Sequence, residues 1–338
     1  MIAPNLPGSL ELMQPAQTDR HRRIGIRRPV HEAVEAHQLR GGKVDGALIR
    51  RAVWAEDLLH AYRFLHDALA DQGFIEPSPD GLRITCHDAV VEKAVFVVKA
   101  LPDIIAVQGA LTDSEDLGLP SDRAFFPEID SLRRAGRLLC EATRPEVIVA
   151  FQKSILAAEL TRCCAAYAIS MGCDELVIAV QPWEARGYIS MGFQQIGPVR
   201  TFSSEVPFPA VLMGLRLDES PGQAARSGHA GNAGLCEGGC PQDRFLHENP
   251  YRRYVPQWGV LAEKAFADPA FLREVFVRGG LLARCSDEER ETIRGRWKAK
   301  LFDRVEAGRP DRSGFESFGA VINISQFLPP TNLARKAV

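Results

Sequence analysis

The chain lacks a long apolar run. No stretch approaches the roughly 18 uninterrupted apolar residues that a bilayer-spanning helix needs, so no membrane span is expected. It also lacks an excess of charge. Lys+Arg at 41 against Asp+Glu at 43 leave a formal net charge of −2, which removes the global basic field of a dedicated nucleic-acid binder. The opening residues, MIAPNLPGSLELMQPAQTDRHRR, have no apolar core of the signal-peptide kind, so a cytoplasmic protein with reduced thiols is expected. Of the eight cysteines, Cys236 and Cys240 stand in CxxxC spacing with His229 and His247 nearby. That spacing matches no strong zinc pattern, and no metal is expected. Finally, the stretch TRPEVIVAFQKSILAAEL contains no glycine.

What is present is an ordinary globular composition. The 338 residues are 46% hydrophobic and 25% charged, enough for a full core in one large domain or two smaller ones. Residues 1–45 carry turn formers and the basic run RHRRIGIRR, and read as a poorly ordered basic arm. From Gly46 the pattern sharpens. ALIRRAV is a strand candidate. AEDLLHAYRFLHDALADQG places Leu58, Leu59, Tyr62, Leu65 and Leu69 at helical spacing. AVFVVKA and IIAVQGAL flank a turn and read as an antiparallel hairpin. FFPEIDSLRRAG is a short helix and GRLLCEAT another strand. FQKSILAAELTRCCAAYAISMG is the longest helical pattern. DELVIAVQP reads as a buried strand, WEARGYISMGF as a short helix, and FQQIG and AVLMGLRL as closing strands. Residues 219–240, dense in Gly, Ser and Ala, read as a linker, and 241–338 as a mainly helical region of unknown role. Within the latter, Ser286 followed by Asp287, Glu288 and Glu289 predicts a helix start.

The element order resembles that of the GNAT acyltransferase fold, a mixed central sheet flanked by helices. The most specific segment is DELVIAVQPWEARGYISMGFQQIG, in which Tyr188, Gly192 and Phe193 form Tyr-x-x-x-Gly-Phe behind a buried strand. Two more stretches, RRAVWAEDLLHAYRFLHDALADQGFI and DSEDLGLPSDRAFFPEIDSLRRAGRLLCEAT, resemble the autoinducer-synthase-like branch of that superfamily. The second carries a Gly118-Leu119-Pro120 turn, then Glu128, Leu132 and Arg133, then a strand ending at Glu141. Together they look most like long-chain N-acyl amino acid synthases, over about Ala47 to Leu217.

That resemblance implies an N-acyltransferase that moves a fatty acyl group from a phosphopantetheine thioester on acyl carrier protein to the amine of an amino acid or similar small amine. It implies Glu141 as the base and Tyr188 as the acid that protonates the leaving thiolate. Gln181 stands where the family carries Asn before Pro, and Trp183 and Glu184 depart from the basic or imidazole residue expected next. Trp183 lines an acyl tunnel or caps the sheet. Phe96, Val98, Leu139 and Phe193 are candidates for that tunnel. In CoA-dependent relatives a glycine-rich turn before the long helix cradles the pyrophosphate. Its absence here favours acyl carrier protein over acyl-CoA, with Arg144, Lys153 and Arg162 expected to meet the phosphate or acidic carrier side chains. A CoA-dependent N-acetyltransferase and a non-catalytic acyl-binding protein of this fold remain alternatives. Glu141, Gln181 and Tyr188 are expected to converge on one cleft, between parallel strands that splay apart.

Overall fold

The computed structural model describes residues 39–40, 43–44, 48–100, 103–152, 155–217, 245–246 and 248–307. Lys153, Cys236, Cys240 and the basic run of the N-terminal arm lie outside them. Among the described residues no helix is long and apolar enough to cross a membrane.

The chain enters the main sheet at β1 (Leu48–Arg51) and runs into α1 (Ala55–Asp71). β2 (Lys93–Ala100) and β3 (Asp103–Thr112) form the expected hairpin, with a register shift between Val98 and Lys99. α2 (Asp122–Arg134) leads to β4 (Leu139–Ala142), a two-residue strand β5 (Glu146–Val147), and the long helix α3 (Leu156–Ser170). β6 (Glu175–Val180), the short α4 (Ala185–Ser190), β7 (Gln194–Gln195), β8 (Arg200–Thr201) and β9 (Pro209–Arg216) complete the sheet.

The strand order is β8-β9-β6-β4-β3-β2-β1, with β5 added to β3 and β7 to β9. One neighbouring pair is parallel, β4 with β6, and α3 is the crossover between them. This is the mixed, largely antiparallel sheet of the GNAT fold. The parallel register runs from Leu139↔Glu175 to Ala142↔Ile178 and stops there. Beyond it the chain of β4 turns to β3, pairing Glu146 with Val107 and Val147 with Ala106. β6 instead stays with β9 as far as Val180↔Val211. The two strands therefore part after Ala142 and Ile178, leaving an opening bounded by Thr143 and Arg144 on one side and Ala179 to Gln181 on the other.

Strand alternation divides the core in two. One face of the sheet carries Cys140, Ala142, Leu176, Ile178 and Val180 against α3. The other carries Leu111, Leu139 and Val177 against Phe125 and Ile129 of α2. α3 is buried on more than one side, Cys163 included, because a further layer covers its back. That layer begins at Phe245 and Leu246 and continues into α5 (Val255–Phe266), where Trp258 meets Phe96 at 6.1 Å. The chain then packs on the α1 face through α6 (Pro269–Leu272), a π-type turn over Arg273–Val277, α7 (Leu281–Arg284), α8 (Asp287–Trp297) and α9 (Ala299–Glu306). α8 starts with the capping box expected at Ser286, closed by Glu289. Trp297 Nε1 donates to Ala89 O at 2.7 Å, and Phe276 and Phe302 flank its indole.

Candidate active site

Glu141 is held by the turn that precedes α2. Its carboxylate accepts from Ser121 N at 2.9 Å and from Ser121 Oγ at 2.7 Å, and the residue is 2% exposed. It pairs with neither Arg137 nor Arg144. The turn is built by charge. Leu119 N donates to Asp122 Oδ2 at 2.7 Å, and Gly118 has φ +62, where a Cβ would stand 2.6 Å from the same oxygen. Arg133 forks onto Asp113 (2.6 and 2.8 Å) and Asp122 (2.8 and 2.7 Å), locking the start of α2 to the end of β3. Glu128 binds Arg200 bidentately at 2.6 and 2.8 Å, fixing the other side of the helix to β8. The Gly118, Glu128 and Arg133 pattern in the sequence is thus the frame that presents Ser121 to Glu141. Desolvation pushes the Glu141 carboxyl up to about 7 against the opposing pull of the Ser121 bonds and of Lys93.

Tyr188 lies on the opposite face. It belongs to the α3-side core, 6% exposed, with Phe193 edge-on at 5.4 Å. Its hydroxyl faces Thr161 of α3, and burial drives its pKa well above that of a free phenol. Thr161 Oγ1 in turn donates to Gln108 Oε1 at 3.2 Å, and Gln108 Nε2 donates to Thr143 O at 2.8 Å, at the opening itself. Gln108 and Thr161 are both fully buried. Neither stood out in the sequence reading, although a Gln inside IIAVQGAL is the one polar side chain of an apolar run. The expected convergence is therefore corrected. Glu141 and Tyr188 approach the sheet from its two faces rather than from one, because alternation along β4 turns Glu141 away from α3.

Gln181 follows β6 at the opening, 6% exposed, and its N–H donates to Glu184 Oε2 at 3.0 Å. Trp183 is 67% exposed, so it neither caps the sheet nor lines a tunnel here. Phe96, Val98 and Phe193 lie on the α3 face, whereas Leu139 lies on the α2 face. Phe193 also meets Phe245, at 6.3 Å.

The expected basic surface is likewise corrected. Arg144 is a half-buried bridge: its side chain bonds Glu146 at 2.5 Å and Glu184 at 3.2 Å. Arg162 bonds Glu159 at 3.2 Å and Glu248 O at 2.6 Å. Both guanidinium groups hold partners inside the fold, with Arg162 Nε left without one. Among the described residues no cluster of three or more His, Cys, Asp or Glu is arranged to hold a metal.

Residues 60–216 match the family model of the N-acyl amino acid synthase FeeM, a little under half of the chain. That segment is an acyltransferase domain. Among solved structures, the chain is similar to FeeM, an N-acyl amino acid synthase from uncultured soil microbes, at 21% identity over 51% of this chain and 91% of that one, TM-score 0.43. It is also similar to a GNAT-family acetyltransferase from Streptococcus pneumoniae, at 16% identity over 50% and 98%, TM-score 0.37. A third is BjaI, a CoA-dependent acyl-homoserine lactone synthase, at 16% identity over 51% and 84%, TM-score 0.37. No protein of curated function matches the chain.

Proposed function

We propose that this acyltransferase domain joins a fatty acyl group, delivered as a phosphopantetheine thioester on acyl carrier protein, to the amine of an amino acid. The observation that carries the reading is the parted pair β4 and β6, with a carboxyl near neutrality on one face and a buried phenol on the other. The donor lies on the α3 face and the acceptor on the α2 face, and the two meet in the opening.

In this reading Glu141 takes a proton from the acceptor ammonium, and the neutral amine attacks the thioester carbonyl. The C–N bond forms, the C–S bond breaks, the nitrogen loses its second proton to solvent, and Tyr188 gives its proton to the leaving sulfur. The phenolate regains a proton through Thr161 or solvent. The balance is thioester plus ammonium to amide, thiol and one released proton. Holding both substrates at one opening supplies much of the acceleration.

The carrier-protein donor is supported by the turn before α3. It has no glycine, and two of its described N–H groups are used locally: Phe151 N bonds Ile148 O at 2.9 Å and Gln152 N bonds Val149 O at 3.4 Å. Those two groups are not turned to a pyrophosphate. The segments leaving β4 and β6 expose Val149 (81%), Ile155 (42%), Trp183 (67%) and Ile189 (56%). An apolar rim of this kind suits a protein partner better than a free nucleotide.

The test is direct. The purified protein is given acyl carrier protein or CoA thioesters of matched chain length with a panel of amino acids, and amides are read by mass spectrometry. Faster turnover with the carrier thioester, and a raised KM for it in Trp183→Ala and Val149→Asp, support the reading. Faster turnover with CoA thioesters returns the CoA-dependent reading, and no amide from any donor leaves acyl binding without catalysis.

A further inference from the structure

The ladder between β3 and β4 changes partners at the opening. Asp113 N bonds Leu139 O at 3.0 Å and Leu111 stands opposite Glu141, so the next hydrogen-bonded pair along the ladder is Gly109 with Thr143. Half of that pair is regular: Thr143 N donates to Gly109 O at 2.8 Å. In the other half Gly109 N donates to Thr143 Oγ1 at 2.8 Å, where a regular ladder offers the carbonyl of the same residue. The hydroxyl has taken the place of the carbonyl, and the carbonyl has left the ladder. Gln108 holds it, with Nε2 donating to Thr143 O at 2.8 Å. The exchange coincides with a bulge. Gly109 faces Thr143, yet Val107 faces Glu146 rather than Pro145, so the strand carries one extra residue over Arg144 and Pro145.

The C=O and N–H of one trans peptide point opposite ways. With the Thr143 carbonyl held toward β3 by Gln108, the N–H of Arg144 is turned away from β3, to the side where β6 has parted. It forms no backbone hydrogen bond among the described residues. Gln108 is fully buried, and its amide has one orientation. A carbonyl oxygen accepts only, so Nε2 faces Thr143 O, and Oε1 is left to the Thr161 hydroxyl at 3.2 Å. An amide in an apolar strand is costly to bury, and both of its ends are here committed to one geometry.

We propose that Gln108 is a positioning residue for the acyl donor: it holds the Thr143–Arg144 peptide out of the ladder, so that the Arg144 N–H meets the thioester carbonyl oxygen in the opening. This rests on the proposed function above and gives a role to a residue which that reading leaves without one. Charge develops on the carbonyl oxygen during attack, and a donor fixed beforehand meets it at no cost of reorganisation. Gln108 touches no substrate and moves no proton. The Thr143 hydroxyl keeps the vacated ladder position filled, so the carbonyl is not drawn back.

Gln108→Met keeps the length of the side chain and removes its donor. Thr143→Val removes the hydroxyl, and Gly109 N then draws the Thr143 carbonyl back into the ladder. Each should lower kcat by roughly 10²-fold with KM for the thioester nearly unchanged. The double variant should lose little more than the worse single, because both changes undo one peptide orientation. Thr143→Ser restores the hydroxyl and should recover most of what Thr143→Val loses. The thioester carbonyl itself gives a readout that altered packing alone would not move. A fatty acyl pantetheine thioester, isotopically labelled at the carbonyl, is bound without acceptor and its infrared stretch is read. The stretch should lie at lower frequency in the wild type than in Gln108→Met or Thr143→Val. An equal stretch in all three proteins, or additive losses in the double variant, overturns the assignment. A lowered stretch that both variants lose, in a protein that forms no amide from any donor, retires the proposed function and keeps the role of Gln108. Amide formation with an equal stretch in all three retires Gln108 alone.

Discussion

Arg144 ties the two arms of the parted sheet together. It leaves the chain just beyond β4, and its Nε lies 3.2 Å from Oε2 of Glu184, just beyond β6. The same guanidinium bonds Glu146 at 2.5 Å and Gln72 of the segment after α1 at 3.2 Å. Strands that stop sharing hydrogen bonds are thus held at a fixed separation by one cation between two carboxylates. Burial raises the Glu146 carboxyl and Arg144 counters it.

Arg144→Met should therefore weaken the fold rather than a partner interface. It strands a Glu146 side chain only 7% exposed, and a broken buried pair costs about 3 kcal/mol. Urea unfolding should show that loss, and Arg144→Met with Glu146→Gln should recover part of it. Full stability in the single variant would mean that the bridge does not hold the opening.

The Glu141 carboxyl gives a pH signature with a definite sign. Its pKa is raised from 4.5 to about 7 in the folded protein, so the folded state holds the proton longer than the unfolded one. This contribution to stability is complete below about pH 4.5 and is lost as pH rises through 7, by about 3 kcal/mol. Glu141→Gln lacks it. The stability difference between wild type and Glu141→Gln should therefore shift in favour of the variant from pH 5 to pH 8, read by urea unfolding at each pH. In the same variant turnover should fall by roughly 10²–10⁴, and the rise of wild-type kcat/KM with pH should be centred near the folded pKa. A parallel stability profile in both proteins would remove the titration from Glu141.

Much of this was legible in the residues. β-branched runs, the spacing of α1 and the unalternating DELVIAVQP gave the strand and helix order, and Tyr188 and Glu141 stood at element ends that a relative would use. What the sequence could not show was the side of the sheet on which each falls. A strand as short as LCEA gives no alternation to read, since all four residues are buried. Nor does a lone Arg announce its partners: Glu184 is 40 residues from Arg144, and only the fold brings them together. Gln108 was hidden for a related reason: it is the one polar side chain of the run IIAVQGAL, and its meaning lies in its partners Thr161 of α3 and Thr143 beyond β4.

Tyr188→Phe removes one hydroxyl from the line Tyr188, Thr161, Gln108, Thr143. If the phenol protonates the leaving sulfur, kcat should fall by roughly 10²-fold with little change in KM. Thr161→Val keeps the phenol and breaks its support, and should give a smaller loss together with about 1 kcal/mol of stability. Steady-state kinetics with thioesters of good and poor leaving thiols separates the roles. The Tyr188→Phe defect should shrink for a thiol acidic enough to leave unprotonated. A defect independent of the leaving thiol assigns Tyr188 to packing against Phe193 instead.

Residues 245–307 are the last point the sequence left without a role, and the structure gives the described ones a role that is measurable. Phe245 and Leu246 are buried against the α3 face beside Phe193, Asn249 Nδ2 donates to Arg162 O at 2.7 Å, and Tyr251 Oη donates to Glu159 Oε2 at 2.8 Å. On the other face Arg296 bonds Asp116 at 2.5 Å and Glu92 at 2.5 Å, gripping the loop that leads from β3 to Ser121 and so to Glu141. The region thus closes over both sides of the sheet. A chain ending at Leu217 would lose the cover of Leu272, Val275, Phe276, Ile293 and Val305, and Leu58, Tyr62, Ile84, Val95 and Val97 of the same cluster would meet water. Each such side chain is worth about 1.5–3 kcal/mol of burial, and several together exceed the usual net stability of a domain. A protein cut after Leu217 should therefore fail to unfold cooperatively and should bind a hydrophobic dye. Trp297→Ala in the full chain should cost about 3–5 kcal/mol, measured in urea. A truncated protein that melts sharply and keeps its turnover would show that residues 245–307 merely rest on a domain that is complete without them.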